Sequence, residues 1–364
     1  MHSLSIHAGP LALQRIRDHG LRAQDVAIIP AAAGGPKGLI FQSLDQWLFG
    51  HWLPGAPRER TLIGSSIGAW RMAAACHADP VEAFARMARV YCDQRYRLKP
   101  TPQEISDACL NVLDQFIGGH EQEIVSHPLY RLQVLTVRGR QLLHSPQRRV
   151  TALGGFTVAT LANLASRASL GRHLERVVIG DARDPAFWLK AKFDGFPTHF
   201  APLQADNIRA ALQASGTLPL VMEPVRDIAH APPGSYWDGG LIDYHLALPY
   251  SRVAGDPAGG LVLYPHFTDH VVPGWFDKSL AWRRAGRGKN RGWLDNVLLV
   301  SPSPAFLRTL SRSKLPDRKD FYYYGADHDF RVQNWRLAIA EGQRLRDEFA
   351  AFVEQPELSR VQAI

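Results

Sequence analysis

The stretch TLIGSSIGAWRMAAAC, residues 61–76, joins a short apolar run to a run of strong helix formers through a turn with two adjacent serines. Upstream, an apolar run at residues 25–30 passes through the loop AAAGGPKG into residues 39–50, where apolar side chains recur at helical spacing. The order is strand, glycine loop, helix, strand, serine turn and helix. This alternation predicts an α/β fold of three layers, with a central, mostly parallel sheet flanked by helices.

The rest of the chain shows no linker or repeat that would divide it, so we expect one domain over residues 1–364. Further strands are predicted at residues 131–137, 176–180, 259–264 and 296–300. The apolar residues 154–171 are expected to form a buried helix. Residues 330–355 predict an amphipathic helix packed on the body, with apolar side chains on one side at Trp335, Ile339, Phe349 and Phe352.

Composition narrows the class of protein. The net charge of +8 favours polyanionic partners, either an anionic lipid surface or nucleic acid. The densest basic stretch, residues 283–293, has no nucleic-acid recognition motif beside it, which makes nucleic acid the less favoured partner. No secretory signal or membrane-spanning run is visible, and three cysteines without metal-ligand spacing suit a reducing compartment. We therefore expect a cytoplasmic protein that contacts membranes at most peripherally.

The serine turn matches Gly-x-Ser-x-Gly, a pattern that places a nucleophile on a tight strand-to-helix turn. Gly64 and Gly68 stand two residues on either side of Ser66. Centring the pattern on Ser65 would put isoleucines at the two positions that must be small. Ser66 is therefore the candidate nucleophile, and the following helix points its N-terminus at the site, which favours developing negative charge.

The glycine loop is a candidate oxyanion hole. It lacks the spacing of a phosphate-binding loop and of a dinucleotide-binding loop. Gly34 and Gly35 can bring their amides close to a substrate because no side chain intervenes, and the amide of Ile67 can add a donor after the nucleophile. Pro36 has no N–H to contribute. The alternative is an ordinary glycine-rich turn.

The base for Ser66 has two candidates in the sequence. A serine triad can be assembled from Ser66, Asp269 and His328, although nothing local distinguishes the last two. Asp238 stands between Trp237 and a glycine pair in the segment GSYWDGGLIDY. Apolar flanks that exclude water suit a carboxylate that takes the serine proton directly. An ordinary Asp-Gly turn is the alternative explanation of that segment.

Three motifs together resemble the patatin-like phospholipase family of lipid acyl hydrolases. Residues 34–38 match its Gly-Gly-x-Arg/Lys-Gly loop, residues 64–68 its serine elbow, and residues 238–240 its Asp-Gly-Gly motif. Residues 214–225, a turn with small residues and prolines, are also similar to the family. The likeness covers about residues 26–241 and departs from it at Ala33, where many members have glycine.

The resemblance implies a fold, a mechanism and a set of site residues. Ser66 would attack the carbonyl of a fatty acyl ester, Asp238 would take its proton, and an acyl-enzyme would follow. The oxyanion would be held by residues of the loop and the elbow, namely Gly34, Gly35, Lys37, Gly38 and Ile67. No cofactor is implied, and no residue spacing predicts a metal site.

Two other functions remain open from the sequence. One is a Ser–His–Asp esterase acting on small soluble esters. The other is a catalytically silent basic protein that binds lipid or nucleic acid. The C-terminal part, residues 242–364, includes a segment at 266–293 that combines aromatic and basic residues and is a candidate for contact with an anionic membrane. The aromatic and basic residues in question are Trp275, Phe276, Trp282, Trp293, Lys278, Arg283, Arg284, Arg287, Lys289 and Arg291.

Overall fold

The structure is a computed structural model, and it describes residues 2–184, 186–256 and 260–364. Its strands are β1 Leu4–Ala8, β2 Val26–Ala31, β3 Arg60–Ser65, β4 Tyr130–Gly139, β5 Leu174–Gly180, β6 Thr198–Pro202, β7 Val225–Arg226, β8 Ser235–Asp238, β9 Leu261–Pro265, β10 Val297–Pro302 and β11 Val361–Ala363. Its α-helices are α1 Pro10–His19, α2 Gln42–Trp47, α3 Ile67–Ala75, α4 Pro80–Cys92, α5 Pro102–Ile117, α6 Glu121–Val125, α7 Arg149–Ala165, α8 Phe187–Lys190, α9 Ile208–Gly216, α10 Pro304–Thr309, α11 Lys319–Tyr324, α12 His328–Glu341 and α13 Gln343–Glu354.

The strands form one sheet in the order β11-β1-β10-β9-β2-β3-β4-β5-β6, with β8 beside β4 and β7 beside β8. Neighbours from β10 to β4 are all parallel. Antiparallel pairings occur between β1 and β10, and where β5 and β8 meet β4. Helices flank the sheet, with α3 against β3 and α9 against β4. The prediction of an α/β fold with a central, mostly parallel sheet flanked by helices is confirmed.

The six strands expected from apolar runs are present as β2, β3, β4, β5, β9 and β10. The helix expected at residues 39–50 is more irregular than predicted. It opens as a 3₁₀ turn over Gly35–Phe41, continues as α2 and ends in a π turn over Leu48–Trp52. The aromatic and aliphatic side chains expected to face inward near the C-terminus are buried, but on two helices, α12 and α13, that meet at Gly342. A Cβ on Gly342 would overlap the carbonyl of Ile40, so the glycine allows this close packing.

The apolar segment at residues 154–171 is where the prediction is wrong. It contributes most of α7, and the inner face of that helix is made of small or buried residues such as Ala152, Gly155 and Ala159. The outer face carries large aliphatic side chains that are half or more exposed: Val150, Leu153, Leu161 and Leu164. Within the described residues, no helix is both long and apolar enough to cross a membrane.

Candidate active site

The turn between β3 and α3 holds Ser66 in a strained conformation. Its backbone has φ 56° and ψ −130°, outside the regions that residues with a side chain ordinarily adopt. Strain of this kind concentrates at functional turns, including those that expose a nucleophile. A Cβ on Gly64 would lie 2.5 Å from the Cα of Ala69, and one on Gly68 would overlap the carbonyl of Ala31. The turn therefore requires both glycines, which fits a pattern centred on Ser66.

The register of β4 brings Asp238 to Ser66. β3 pairs with β4 until Ser65 lies opposite Leu135. β8 approaches from the opposite direction and ends with Asp238 opposite Thr136. Because β5 occupies the other edge of β4 over these residues, β3 and β8 share one edge and meet end to end. Leu135 and Thr136 are neighbours in β4, so the strand ends that pair with them bring Ser66 and Asp238 together, although these two residues are 172 positions apart in the chain.

A hydrogen bond joins the two side chains. The Ser66 hydroxyl donates to Oδ2 of Asp238 over 2.9 Å, and Oδ1 of Asp238 accepts from the Gly240 amide over 2.7 Å. A Cβ on Gly239 would overlap the carbonyl of Leu135, so a side chain there would force the aspartate away from the sheet. Ser65 is fully buried, and its hydroxyl has no hydrogen-bond partner in the described part of the chain. The structure thus brings Asp238 to Ser66 and leaves Ser65 apart.

Ser215, on α9, supports the turn and had no role in the sequence analysis. Its hydroxyl accepts from the backbone amide of Ser66 over 2.8 Å and donates to the carbonyl of Leu135 over 2.7 Å. One side chain therefore ties the strained turn to β4. The nearby carbonyl of Thr217 accepts from the Asp238 amide over 2.8 Å. The small residues at the start of the 214–225 stretch could have indicated this contact, because a segment that packs closely against the Ser66 turn requires small side chains.

Burial controls the ionisation of Asp238. Desolvation raises the pKa of this carboxyl above its ordinary value of 3.8. The charge of Arg318, the amide of Gly240, the Ser66 hydroxyl and the charge of Lys278 act in the opposite direction, because each favours the carboxylate. A carboxylate that is more basic than usual and bonded to a hydroxyl is suited to accept its proton.

Free backbone amides lie next to the serine. The amides of Gly34, Gly35 and Ile67 donate no hydrogen bond within the described residues, whereas the Ala33 amide donates to the carbonyl of Tyr244 over 2.9 Å. Gly35 has φ +58° and lines the same cavity as Ser66 and Ile67. Their two amides are therefore available donors beside the nucleophile.

The other residues predicted to hold the oxyanion do not line the cavity that contains Ser66. Gly38 sits inside the 3₁₀ turn, where a Cβ would come 3.3 Å from the Ile67 and Arg71 side chains. The Lys37 ammonium lies over the Phe267 ring, 5.1 Å from its centre. Gly34, Lys37 and Gly38 are not among the cavity-lining residues. Gly35 and Ile67 are thus the best-placed donors.

Ser66 opens into a cavity of about 440 Å³. Apolar side chains form most of its wall: Ile67, Trp70, Tyr91, Tyr96, Leu98, Ile105, Leu218, Val221, Met222, Trp275, Phe321 and Tyr322. These residues come from distant segments, so no local pattern in the sequence could have identified the wall. An apolar cavity beside a nucleophile is suited to a hydrocarbon chain.

Arg318 and Lys278 lie close enough to Asp238 to favour its carboxylate, and Lys37 lies near both. Within residues 2–184, 186–256 and 260–364, none of the three takes part in an ion pair. The side chain of Arg318 lines the cavity and lies beside Gly35. The Lys278 ammonium lies 4.0 Å from the centre of the Tyr244 ring. Desolvation and the charges of Arg318 and Lys37 lower the pKa of Lys278 to about 7. The positive charge of Arg318 in the cavity wall favours an anionic group next to Ser66. No sequence signal singled out Arg318.

The residues of the alternative triad are not joined. Asp269 pairs with its neighbour His270 over 2.7 Å. His328, the first residue of α12, lines the cavity that contains Ser66. Within the described residues, no hydrogen bond links His328 to Asp269 or to Ser66. Asp238 is the carboxylate that the structure places on the serine.

One group of donors could hold a metal ion, away from this cavity. Ligand atoms of His77, His120 and Glu123 lie within 4.8 Å of one another. His120 pairs with Glu123 over 3.1 Å, which already satisfies that carboxylate in part. His77 follows α3 whereas the other two flank the start of α6, so sequence spacing gave no sign of the group. None of the three lines the Ser66 cavity.

The aromatic residues of the 266–293 segment are less exposed than an interfacial role would require. Trp282 is 69% exposed, but Trp275 and Phe276 are partly buried against the core beneath α7. Trp293 packs edge-on against Phe193. Most of these rings therefore belong to the body of the protein.

The basic residues of the same segment fall into two groups. Arg283 pairs with the buried Asp277 over 2.9 Å and donates to the carbonyl of Leu164 at the end of α7. The side chain of Lys289 lies outside the described residues. Arg284, Arg287 and Arg291 take part in no ion pair in the described ranges, and Arg287 and Arg291 are exposed. Within the described residues, Lys278 and these last three arginines are the basic residues of the segment that take part in no ion pair.

The three motifs that resemble the patatin-like family meet in one site. The glycine loop lines the cavity through Gly35, the elbow presents Ser66, and Asp238 accepts its hydrogen bond. Compared with known proteins, the chain matches no family model and no curated sequence. Membership of that family therefore stays a prediction, and the geometry of the site is what supports a function.

Proposed function

We propose that this protein is a lipid acyl hydrolase that cleaves fatty acyl esters through a Ser66–Asp238 dyad. The observation that carries the proposal is the 2.9 Å hydrogen bond from a strained, glycine-framed serine to a buried aspartate. A merely structural serine does not require a φ of 56° between two glycines that tolerate no side chain. The open apolar cavity above the pair supplies room for an acyl chain.

The reaction follows from the contacts. Asp238 takes the proton of Ser66 as its oxygen attacks the acyl carbonyl, and the amides of Gly35 and Ile67 stabilise the oxyanion. The protonated Asp238 then gives that proton to the leaving alcohol, and an acyl-enzyme remains. A water molecule that loses a proton to Asp238 attacks the acyl-enzyme. The tetrahedral intermediate collapses, the fatty acid leaves, and the proton returns to Ser66.

The charges at the entrance indicate a substrate class. Arg318 lines a pocket whose wall is otherwise mainly apolar, and Lys278 and Lys37 lie close to Arg318 outside that wall. An acyl ester whose alcohol part carries a phosphate would place its chain in the cavity and its negative charge among these cations. We therefore propose anionic acyl esters as preferred substrates over neutral esters of the same chain length.

Covalent labelling tests the nucleophile. A fluorophosphonate probe should label the wild type and leave Ser66→Ala unlabelled, while Ser65→Ala is labelled normally. Hydrolysis of a short p-nitrophenyl ester should follow the same pattern. A wild type that takes no label and hydrolyses no ester would contradict the proposal and favour a silent binding protein.

A matched pair of esters tests the substrate class. Wild type should hydrolyse a monoacylglycerol phosphate with a lower KM than the neutral monoacylglycerol of the same chain. Lys278→Met should reduce this preference, measured as the ratio of kcat/KM for the two esters, because an effect of the Lys278 charge on Asp238 is common to both esters and cancels in that ratio. Lys319→Met, an exposed cation nearby, is the control. If wild type and Lys278→Met prefer the phosphate-bearing ester over the neutral ester to the same extent, Lys278 does not contribute to binding the head group.

A further inference from the structure

The outer face of α7 is apolar along its whole length. Val150 is 77% exposed, Leu153 51%, Leu161 61% and Leu164 55%. Thr157 and Val158 between them, and Ala165 at the end of the helix, are also exposed and uncharged. A surface helix ordinarily buries its large apolar side chains and exposes polar ones. α7 buries Phe156 in this way, but its other inward residues are Ala152, Gly155, Ala159 and Asn163, and all of its valine and leucine side chains face outward.

Cations lie at both ends of this face. Arg148 and Arg149 stand exposed at the start of the helix, and its last turn contacts the basic segment through Arg283. Arg284 and Arg287 follow directly in that segment. α7 itself contains no acidic residue. An apolar stripe with arginines at its ends matches an anionic bilayer surface, where the aliphatic side chains enter the interface and the guanidinium groups meet head groups.

The same face lies beside the entrance to the cavity. At its beginning, Arg149 donates to the carbonyl of Leu220, and the next residue, Val221, lines the cavity and is 37% exposed. Trp275 lines the cavity as well and packs against the core beneath the helix. Seating α7 on a membrane would therefore bring the entrance of the cavity close to the lipid.

We infer that the outer face of α7 docks this protein on anionic lipid surfaces. This inference rests on the proposed lipid hydrolase function and adds the surface through which substrate is reached. Trp282, 69% exposed, precedes Arg283, whose guanidinium donates to the carbonyl of Leu164 at the C-terminal end of the helix. The free cations at its ends distinguish a bilayer from a second copy of this chain, because two copies would bring like charges together.

Vesicle binding tests the surface. The variant Leu153→Gln/Leu161→Gln keeps the helix formers and changes only exposed side chains. Its partition onto vesicles of phosphatidylglycerol and phosphatidylcholine should fall about tenfold, since two aliphatic contacts with the interface are lost. The matched control is Leu11→Gln/Leu337→Gln, which removes equally exposed leucines from α1 and α12 and should bind as wild type does.

The charges need their own variant. Arg148→Gln/Arg284→Gln/Arg287→Gln should weaken binding to anionic vesicles, and added salt should weaken wild-type binding in the same way. Arg283 is left in place because it neutralises the buried Asp277. Binding to pure phosphatidylcholine should be weak in all proteins.

Hydrolysis of a short soluble ester separates the two proposals. If wild type cleaves that ester and the leucine variant binds vesicles as well as wild type does, the docking surface is wrong and the hydrolase stands. If no ester is cleaved but vesicle binding depends on the leucines, the hydrolase is wrong and the surface stands. Light scattering adds a further outcome: a dimer that the leucine variant dissociates, with vesicle binding unchanged, would make this face a subunit interface and overturn the inference.

Discussion

The helices α3 and α7 show how differently two apolar segments are used. Every residue of α3 is buried, including Arg71, whose guanidinium is 2% exposed. On α7, leucines point outward, and Leu161 is 61% exposed. The sequence predicted a helix on a face of the sheet after the serine turn and a buried helix over residues 154–171. The difference teaches that apolar composition predicts a helix but not its burial, which depends on the layers packed over it.

The largest effect should come from the turn that begins α3. We expect Ser66→Ala and Asp238→Asn each to lower kcat for a soluble ester by about 10³–10⁵-fold, because nucleophile and base act as one unit. Thr157→Ala on the exposed face of α7 should leave that activity unchanged. Steady-state kinetics with circular dichroism as a check of folding measure this. Loss of activity with His328→Ala to the same extent would favour the triad instead.

The next largest effect is expected on the free energy of unfolding when the buried Arg71 of α3 is replaced. Arg71 donates two hydrogen bonds of 2.8 Å to Asp45, and both side chains are nearly inaccessible. Arg71→Met should cost about 3–5 kcal/mol of unfolding free energy, because it leaves a carboxylate buried without its partner. The control is Arg149→Met at the exposed start of α7, which should cost less than about 0.5 kcal/mol.

The pH dependence of that loss provides its check. Burial raises the pKa of Asp45 even with Arg71 present, and removing the cation raises it further. A carboxyl whose pKa is raised by folding stabilises the folded state when protonated, so the variant should lose stability as pH rises from the unfolded value upward. Urea denaturation at several pH values measures this. A variant that is more stable at neutral than at acid pH would contradict the assignment.

Runs of apolar residues were sufficient to predict the centre of the sheet. The strands β2, β3, β4, β5, β9 and β10 are almost fully buried, and each contains several apolar residues that mark it in the sequence, although β4 also carries Arg131, Gln133, Thr136 and Arg138. The strand β1 and the short β8 were missed, because their pattern depends on pairing with partners far along the chain. β8 is held by β4, and nothing in the sequence SYWD alone predicts that contact.

The centre of the candidate site could be predicted because its constraints are local. Gly64 and Gly68 are required by contacts within the turn itself, so they leave a fixed spacing around Ser66. The surroundings could not be predicted in this way. Ser215 bonds to the Ser66 amide from α9, and Arg318 lines the same cavity from the residue before α11, and such placements are set by the packing of layers.

A smaller effect is expected on the low-pH side of the pH–rate profile, where hydrolysis declines. Asp238 must be ionised to act, so hydrolysis should fall as pH drops through its raised pKa. Arg318→Gln removes the largest charge that opposes this rise and should move the decline to higher pH. Arg149→Gln on α7 should leave the decline in place. A decline that is unmoved by Arg318→Gln, measured on a neutral ester, would show that Asp238 does not sense this cation.

The smallest expected effect belongs to α7. Among the described residues, none lies within 4 Å of a Cβ placed on Gly154, so alanine there extends into open space. Gly154→Ala should therefore stabilise the protein by about 0.5–1 kcal/mol, since glycine costs more conformational entropy in a helix than alanine does. Gly155, the next residue, faces inward, and a Cβ there would lie 2.6 Å from the buried Leu143 side chain. Gly155→Ala should give no such gain, because Leu143 must move to admit the methyl group. Each variant adds one methyl group, and urea denaturation measures the change in unfolding free energy on the outer and on the inner face of the same helix turn. An equal gain in both would mean that the inner face of α7 is as open as the outer one, and the contrast with the closely packed α3 would then be lost.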